Sequence, residues 1–459
     1  MLDHEIFIKA YENHEFNFGG INWWPLIKIQ VSYQIHLKNA NLFKISDVGK
    51  PFNEIDTHTT LKDNLRFYIQ NFKKPKSVKT LIVTDSSNAH SSATEKSICS
   101  HPYTDPFIYY FQKLKIEHIV FDYKKEQCLL NYDLKVLKKI YLKQVKNNFS
   151  KDDTIKLQLV ELCDFLLQNY GDDFKLYNYL VQNIINNQTE FLMFYFVLKR
   201  VDVKNILLYC YYNNTMMSII RAANLLKIQT IEYQHSQVTS NHFAYSSWKA
   251  LKEKSKIFFP SKVWVWRQND AEYLEKNFVS AKKNNYVVGG NLFLSLLKIK
   301  KSKKEDGKTR ILVTLQGQGL PDYIIEYLDH NPNLILYLRI HPRYFQDKEI
   351  CEKLKSKYTA QIEIEDANSL TLHELFNFVD YHLTNFSGAA IEAEYYDLTN
   401  IIYGDKGYIS YENEIKSGKY LFIECQDDLD KIVKQGLKHK SDSKEEKKDI
   451  HKLILENFN

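Results

Sequence analysis

The 459-residue chain is 44% hydrophobic, 14% aromatic and 26% charged, which excludes a disordered protein; its length exceeds one ordinary core, so two domains of roughly 200 residues each are expected. A net charge of +6, carried mostly by lysine, is too mild for a dedicated nucleic-acid binder, although it suits weak attraction to an anionic membrane surface. Six scattered cysteines without a C-x-x-C pair exclude a disulfide framework and structural zinc, and no apolar window is long enough to span a membrane.

Taken in chain order, the N-terminus lacks the layout of a signal peptide, so cytoplasmic residence is expected, at the inner face of the cytoplasmic membrane if the charge draws it there. In the first half the expected strands are residues 79–84, 118–121, 205–209, 229–233 and 262–266, with helices over 153–170 and 214–226. Residues 122–204 are mostly helical in pattern and read as an inserted helical layer or a lid. Alternation resumes near Tyr286, with strands over 286–288, 310–314, 333–338, 361–364, 380–384, 400–403 and 420–423. Such alternation implies parallel sheets with crossover helices. Lysine-rich runs over 295–308 and 438–448 have the composition of solvated linkers, and the second precedes a short amphipathic helix over 450–458. The expected division is therefore an α/β chain with one domain over 1–285, carrying the helical insertion, a second over 286–440, and a charged tail with terminal helix over 441–459.

Open α/β sheets bind ligands outside the carboxyl ends of their strands, so polar residues at strand ends are the candidates for function. After strand 333–338 come Arg339, His341 and Arg343, a rim suited to phosphate. After strand 380–384 come Thr384, Asn385 and Ser387, then a helix beginning near Gly388, whose free N–H groups favour anions. Glu392 on that helix suits ribose hydroxyls, or is an acid stabilised by the helix dipole. Gln316-Gly-Gln-Gly-Leu-Pro321 lacks the third glycine of a dinucleotide fingerprint, and Pro321 interrupts the expected helix, so no nicotinamide cofactor, nor any other, is expected. Its glycines either let the backbone approach a ligand, with Gln316 and Gln318 beside it, or form an ordinary turn. In the first half, Gln234, His235 and His242 follow strand 229–233, where a histidine can act as general base or bind a sugar or phosphate oxygen. Asp85 and Asp105 are further candidate bases, or else turn and cap residues.

The set Gln234-His235, His341-Pro342 and Thr384-x-x-Ser387 with Glu392-Ala393 resembles bacterial surface-polysaccharide glycosyltransferases of GT-B fold, including capsule and lipopolysaccharide Kdo- and sialyltransferases. Asn22-Trp-Trp-Pro-Leu-Ile-Lys28 looks like the N-terminal W-P-L-I-R element of such proteins, and Gly289-Gly-Asn291 looks like their V-G-N connection into the second domain. The resemblance implies two Rossmann-like domains with a cleft between them. It implies a C-terminal half that binds a nucleotide-sugar donor and an N-terminal half that receives a glycan or glycolipid acceptor. His341 would contact the nucleotide or its phosphate, Thr384 and Ser387 would cradle phosphate, and a cytidine monophosphate sugar is the implied donor. Asp85 or His235 would deprotonate the acceptor hydroxyl, with Gln234 and His242 on the acceptor side. No D-x-D motif stands beside a strand, in line with metal-independent transfer. A cytidine diphosphate-polyol phosphotransferase and a non-catalytic binding homologue share this layout. Ser236 and Lys28 depart from the Gly and Arg usual in the family.

Overall fold

The computed structural model describes residues 4–39, 42–43, 51–73, 77–85, 101–125, 128–240, 242–248, 251, 253–278, 285–297, 306–342, 344, 346–436 and 449–459. They fall into two units, one holding the described residues up to Leu292 together with 449–459, the other the described residues of 293–436.

The first unit opens with helix α1 (His4–Tyr11) and a two-residue hairpin, Asn17–Phe18 against Ile21–Asn22, whose turn residues Gly19 and Gly20 both have positive φ. Asn22 then accepts hydrogen bonds from the N–H groups of Phe16 and Trp24, which starts α2 (Trp24–Asn39). There follow α3 (Leu61–Gln70), β1 (Ser77–Thr84), α4 (Asp105–Leu114) and β2 (His118–Asp122). Three long helices, α5 (Leu134–Ser150), α6 (Asp153–Tyr170) and α7 (Tyr177–Leu198), form the expected helical insertion. The sheet resumes with β3 (Asp202–Tyr209), α8 (Asn214–Leu225), β4 (Gln229–Tyr233), β5 (Lys262–Val265), α9 (Gln268–Asn277) and β6 (Tyr286–Val288). The six strands are parallel in the order β2-β1-β3-β4-β5-β6, and strand order reverses between β1 and β3.

One expected boundary is corrected here. The sequence pattern puts Tyr286–Val288 in the second domain, but it pairs in parallel with Val263–Val265 as the sixth strand of the first sheet. Gly289 follows it because a Cβ there would lie 2.0 Å from the Trp264 ring, and Tyr233 then bonds both Asn291 Oδ1 and the Leu292 N–H. The Gly-Gly-Asn element thus closes the first sheet.

The second unit contains β7 (Thr309–Thr314), β8 (Leu334–Arg339), α10 (Asp347–Lys357), β9 (Ile362–Glu363), α11 (Leu372–Phe376), β10 (Tyr381–Thr384), α12 (Ala389–Glu394), β11 (Thr399–Tyr403), α13 (Gly404–Ser410), β12 (Leu421–Ile423) and α14 (Gln426–Gln435). Its six strands are also parallel, ordered β9-β8-β7-β10-β11-β12. Numbered from β7 this is 3-2-1-4-5-6, the Rossmann order, with its reversal between β7 and β10. Separate apolar clusters cover the two faces of this sheet, one centred on Ile311, Val313 and Leu336, the other on Leu312, Leu375 and Phe376. Both units are therefore Rossmann-like, as expected of the fold class. The chain ends in α15 (Ile450–Phe458), which belongs to the first unit. Its last residues accept hydrogen bonds from Asn205, Gln229 and Lys262, and Phe458 packs on Phe107 and Phe111.

Candidate functional site

In the first unit, the loops at the strand reversal begin with Asp85 after β1 and Cys210 after β3. Cys210 takes φ +55°, a left-handed conformation that is uncommon outside glycine. The turn buries Tyr211 completely and leaves Tyr212 half-buried. The Tyr212 hydroxyl lies 3.0 Å from His235 Nε2 and 3.3 Å from His242 Nε2, which is also 3.2 Å from Ser236 Oγ. His242 Nδ1 accepts the Ala244 N–H, so its proton sits on Nε2. Burial pulls the His242 pKa down to about 4, so the ring is neutral at physiological pH. Two imidazoles are thus joined through one phenol. His235 also packs against the rings of Tyr103 and Tyr209, beside His101.

The other residues of this edge differ in what they leave accessible. The buried Asp85 carboxylate lies 2.6 Å from Lys124 Nζ and accepts a hydrogen bond from the Tyr123 hydroxyl. Gln234 is fully buried, where its amide oxygen accepts the Trp266 N–H and its NH2 group donates to Asp270 and the Ser236 carbonyl. Gln234 therefore braces the loop rather than lining its surface. Asp105 accepts the His101 N–H at the start of α4. Lys28 is fully buried, donates to the Ser246 and Ser247 carbonyls and stacks 3.5 Å over Trp248, which ties α2 to the loop carrying His242. Burial lowers its pKa well below the usual lysine value.

In the second unit the reversal lies between the loops after β7 and β10. Gly317 and Gly319 both have positive φ, and their N–H groups point at the buried Asp347 carboxylate, at 2.6 and 3.4 Å. A protein anion thus already occupies the place a phosphate would take in this loop. Asp347→Ala is expected to cost about 1–2 kcal/mol in denaturant melts, because both N–H groups lose their acceptor. Gln318 accepts a hydrogen bond from Asn385 Nδ2, linking the two loops. Gln316 Oε1 and Asn385 Oδ1 are buried and have no hydrogen-bond partner among the described residues. Two acceptors therefore flank the strand reversal with unmet capacity.

Thr384 is fully buried; its hydroxyl donates to the Thr314 carbonyl and accepts the Ser387 N–H, so it shapes the turn. Ser387 Oγ is half-buried and accepts the Ala389 N–H. Arg339 Nη1 donates to the Ala367 and Leu370 carbonyls at 2.8 and 2.7 Å, which holds the segment before α11. His341 is half-buried with its ring against Tyr344, and Arg343 lies outside the described residues. Glu392 faces His373, 3.6 Å from Nε2. His382 is buried between Thr314 and Asn400, and burial takes its pKa to about 4.

The cation that sequence reasoning missed is Lys406, in the first turn of α13. That helix presses on Asn385, since a Cβ at Gly407 would lie 2.4 Å from the Asn385 carbonyl oxygen. Lys406 Nζ lies 5.2 Å from the centre of the Phe386 ring, has no acidic partner among the described residues, and burial lowers its pKa. Tyr212 was missed as well, although it stands at a strand end like the residues that were chosen. Among the described residues no group of three or more His, Cys, Asp or Glu side chains converges as a metal site.

No protein-family profile matches the chain, and no curated protein matches it significantly. Among solved structures it is similar to the UDP-GlcNAc 2-epimerase from Neisseria meningitidis bound to UDP-GlcNAc, at 12% identity over 79% of this chain and 92% of that one, with a TM-score of 0.48. The Methanocaldococcus jannaschii UDP-GlcNAc 2-epimerase in complex with UDP-GlcNAc and UDP matches at 14% identity, 82% and 98% coverage and a TM-score of 0.45. A spinosyn rhamnosyltransferase complexed with spinosyn aglycone matches at 8% identity, 76% and 87% coverage and a TM-score of 0.34.

Proposed function

We propose that the chain is a glycosyltransferase that moves a sugar from a nucleotide-activated donor, a cytidine monophosphate sugar such as sialic acid or Kdo, to a bacterial surface glycan. The observation that carries this reading is the pair of unpartnered amide oxygens, Gln316 Oε1 and Asn385 Oδ1, at the strand reversal of a Rossmann-ordered sheet. Nucleotides bind at such reversals. Cytosine carries an exocyclic amino donor where uracil carries an oxygen, and the Asn385 oxygen, oriented by the bond from Nδ2 to Gln318, suits that donor. Lys406 is a desolvated cation beside the same loop, suited to the phosphate of the leaving cytidine monophosphate. Ser387 and His341 remain the half-buried polar groups of this edge for the rest of the donor.

In the reaction, the acceptor hydroxyl oxygen forms a bond to the anomeric carbon as the bond from that carbon to the phosphate oxygen breaks. The hydroxyl proton passes to a base, and the electron pair leaves with cytidine monophosphate. His235 is assigned as the base, because Lys124 and Tyr123 already occupy the Asp85 carboxylate. Asp85 and His242 then act as positioning residues in the acceptor unit.

Thermal melts with cytidine, uridine and guanosine nucleotides test the donor assignment. Cytidine monophosphate is expected to raise the melting temperature most, and Lys406→Met to weaken its binding on the order of tenfold. No stabilisation by any nucleotide, or undiminished stabilisation in Lys406→Met, contradicts the site. Transfer assays then separate cytidine monophosphate sugars from cytidine diphosphate polyols. Isomerisation of a nucleotide sugar without an acceptor would replace transfer by epimerisation.

A further inference from the structure

Helix α3 is built inside out. Its N-terminus is fixed by a capping box between Thr60 and Asp63, and its core side carries Asp63, Phe67 and Gln70. Asp63 meets Lys139 at 3.4 Å, Gln70 Oε1 accepts the Asp133 N–H, and Phe67 packs on Tyr141 and Phe196. The other apolar residues instead face out. Leu61 is 87% exposed, Leu65 59%, Tyr68 61%, Ile69 51%, and Phe72 just beyond the helix 70%. Their spacing of i, i+4, i+7, i+8 and i+11 gathers them on one side of the helix, opposite the buried residues. A surface helix in water ordinarily shows the reverse, and a contiguous exposed apolar stripe of this kind marks an interaction surface.

The charge around the stripe identifies its partner. Lys62 and Arg66 flank it and are exposed, and the only acid of α3 is the buried Asp63. The neighbouring α5 has no acidic residue, and its row Lys135, Lys139 and Lys143 is exposed, with Lys139 placing that row alongside α3. A second copy of the chain on this face, related by a two-fold axis, would set these cations against themselves. We infer that α3 docks the protein on an anionic lipid surface, with Leu61, Leu65, Tyr68, Ile69 and Phe72 entering the headgroup and acyl boundary. Lys62 and Arg66, on the flank of the stripe, then face lipid phosphates. This role is independent of the reaction assigned above.

Flotation of the full chain with vesicles tests it, comparing phosphatidylcholine alone with phosphatidylcholine mixed with phosphatidylglycerol. The protein is expected to float with the mixed vesicles and to remain below with the neutral ones. Leu65→Ser combined with Phe72→Ser, and separately Lys62→Glu combined with Arg66→Glu, are each expected to reduce partitioning by on the order of tenfold or more. The melting temperature should not move, because these side chains are exposed. The assignment is overturned if the chain fails to float with anionic vesicles, or if the serine pair floats as well as wild type. Concentration-dependent self-association that the serine pair abolishes would also overturn it, giving the face to a second copy.

Discussion

Replacing Arg221 with alanine is expected to lower the stability of the first unit by about 3–5 kcal/mol in chemical denaturation. Arg221 sits on α8, fully buried, with its guanidinium 4.7 Å from the Trp23 ring centre, 4.3 Å from Phe191 and 4.9 Å from Phe258. It donates to Asn187 Oδ1 and Gln188 Oε1 on α7, and no acid balances it among the described residues. Burial pulls its pKa down to about 9, still above neutrality, so the charge is retained and held by ring faces and amide oxygens. Alanine would open a cavity among three rings and leave buried Asn187 without its donor. Methionine would refill much of the volume, so Arg221→Met should cost only about 1–2 kcal/mol, mostly for the lost hydrogen bonds. An alanine variant as stable as wild type would show that the cage can collapse and that the guanidinium does not hold α7, α8 and the Trp23 segment together.

The second large effect is a pH dependence. Glu232, the fourth residue of β4, is fully buried; Oε1 accepts hydrogen bonds from the Tyr245 hydroxyl and the Tyr211 N–H, while Oε2 has no partner among the described residues. Burial pushes its pKa from 4.5 up to about 8 against the opposing pull of those two hydrogen bonds. Between these values the native state binds more protons than the unfolded chain, so this group's contribution is full below the lower value and lost as pH rises through the upper one. His242 and His382, both lowered to about 4 from 6.5, act in the opposite sense at lower pH. The comparison is therefore between wild type and Glu232→Gln, whose amide mimics the neutral acid and does not titrate. Stability of wild type relative to that variant should fall by about 2 kcal/mol between pH 6 and pH 8. Parallel curves would mean that Glu232 is ionised in the native protein.

The parallel alternation was legible in the sequence because buried strands such as β1, β3, β7 and β8 are short apolar runs ending in polar residues. Tyr286–Val288 was placed in the wrong unit because a three-residue strand does not reveal its neighbour; the tight packing of Gly289 on Trp264 is a tertiary fact. The strand-end rule sets the candidates at the carboxyl edge of each sheet, yet it does not say which polar group faces outward. Thr384 and Gln234 follow strands as expected, but the same hydrogen-bonding capacity that suits a ligand is satisfied by Thr314, Asp270 and Trp266. One nitrogen of Arg339 likewise goes to two carbonyls. Lys406 stayed hidden because nothing local distinguishes it from the many surface lysines; only the packing of α13 on Asn385 sets it beside the reversal. The outward apolar face of α3 was equally invisible, since hydrophobic periodicity states that a stripe exists and not which way it turns.

The return of α15 to the first unit makes the second a long interruption within the first. Among the described residues, the chain leaves the first unit after Leu292 and is back in it at Asp449. During synthesis the sheet of the first unit emerges early, but the partners of Asn205, Gln229 and Lys262 at Asn457 and Phe458 arrive only after the entire second unit has been made. The half of the molecule that is translated first is thus the half that is sealed last, and until then the ring faces of Phe107 and Phe111 that receive Phe458 lack their cover.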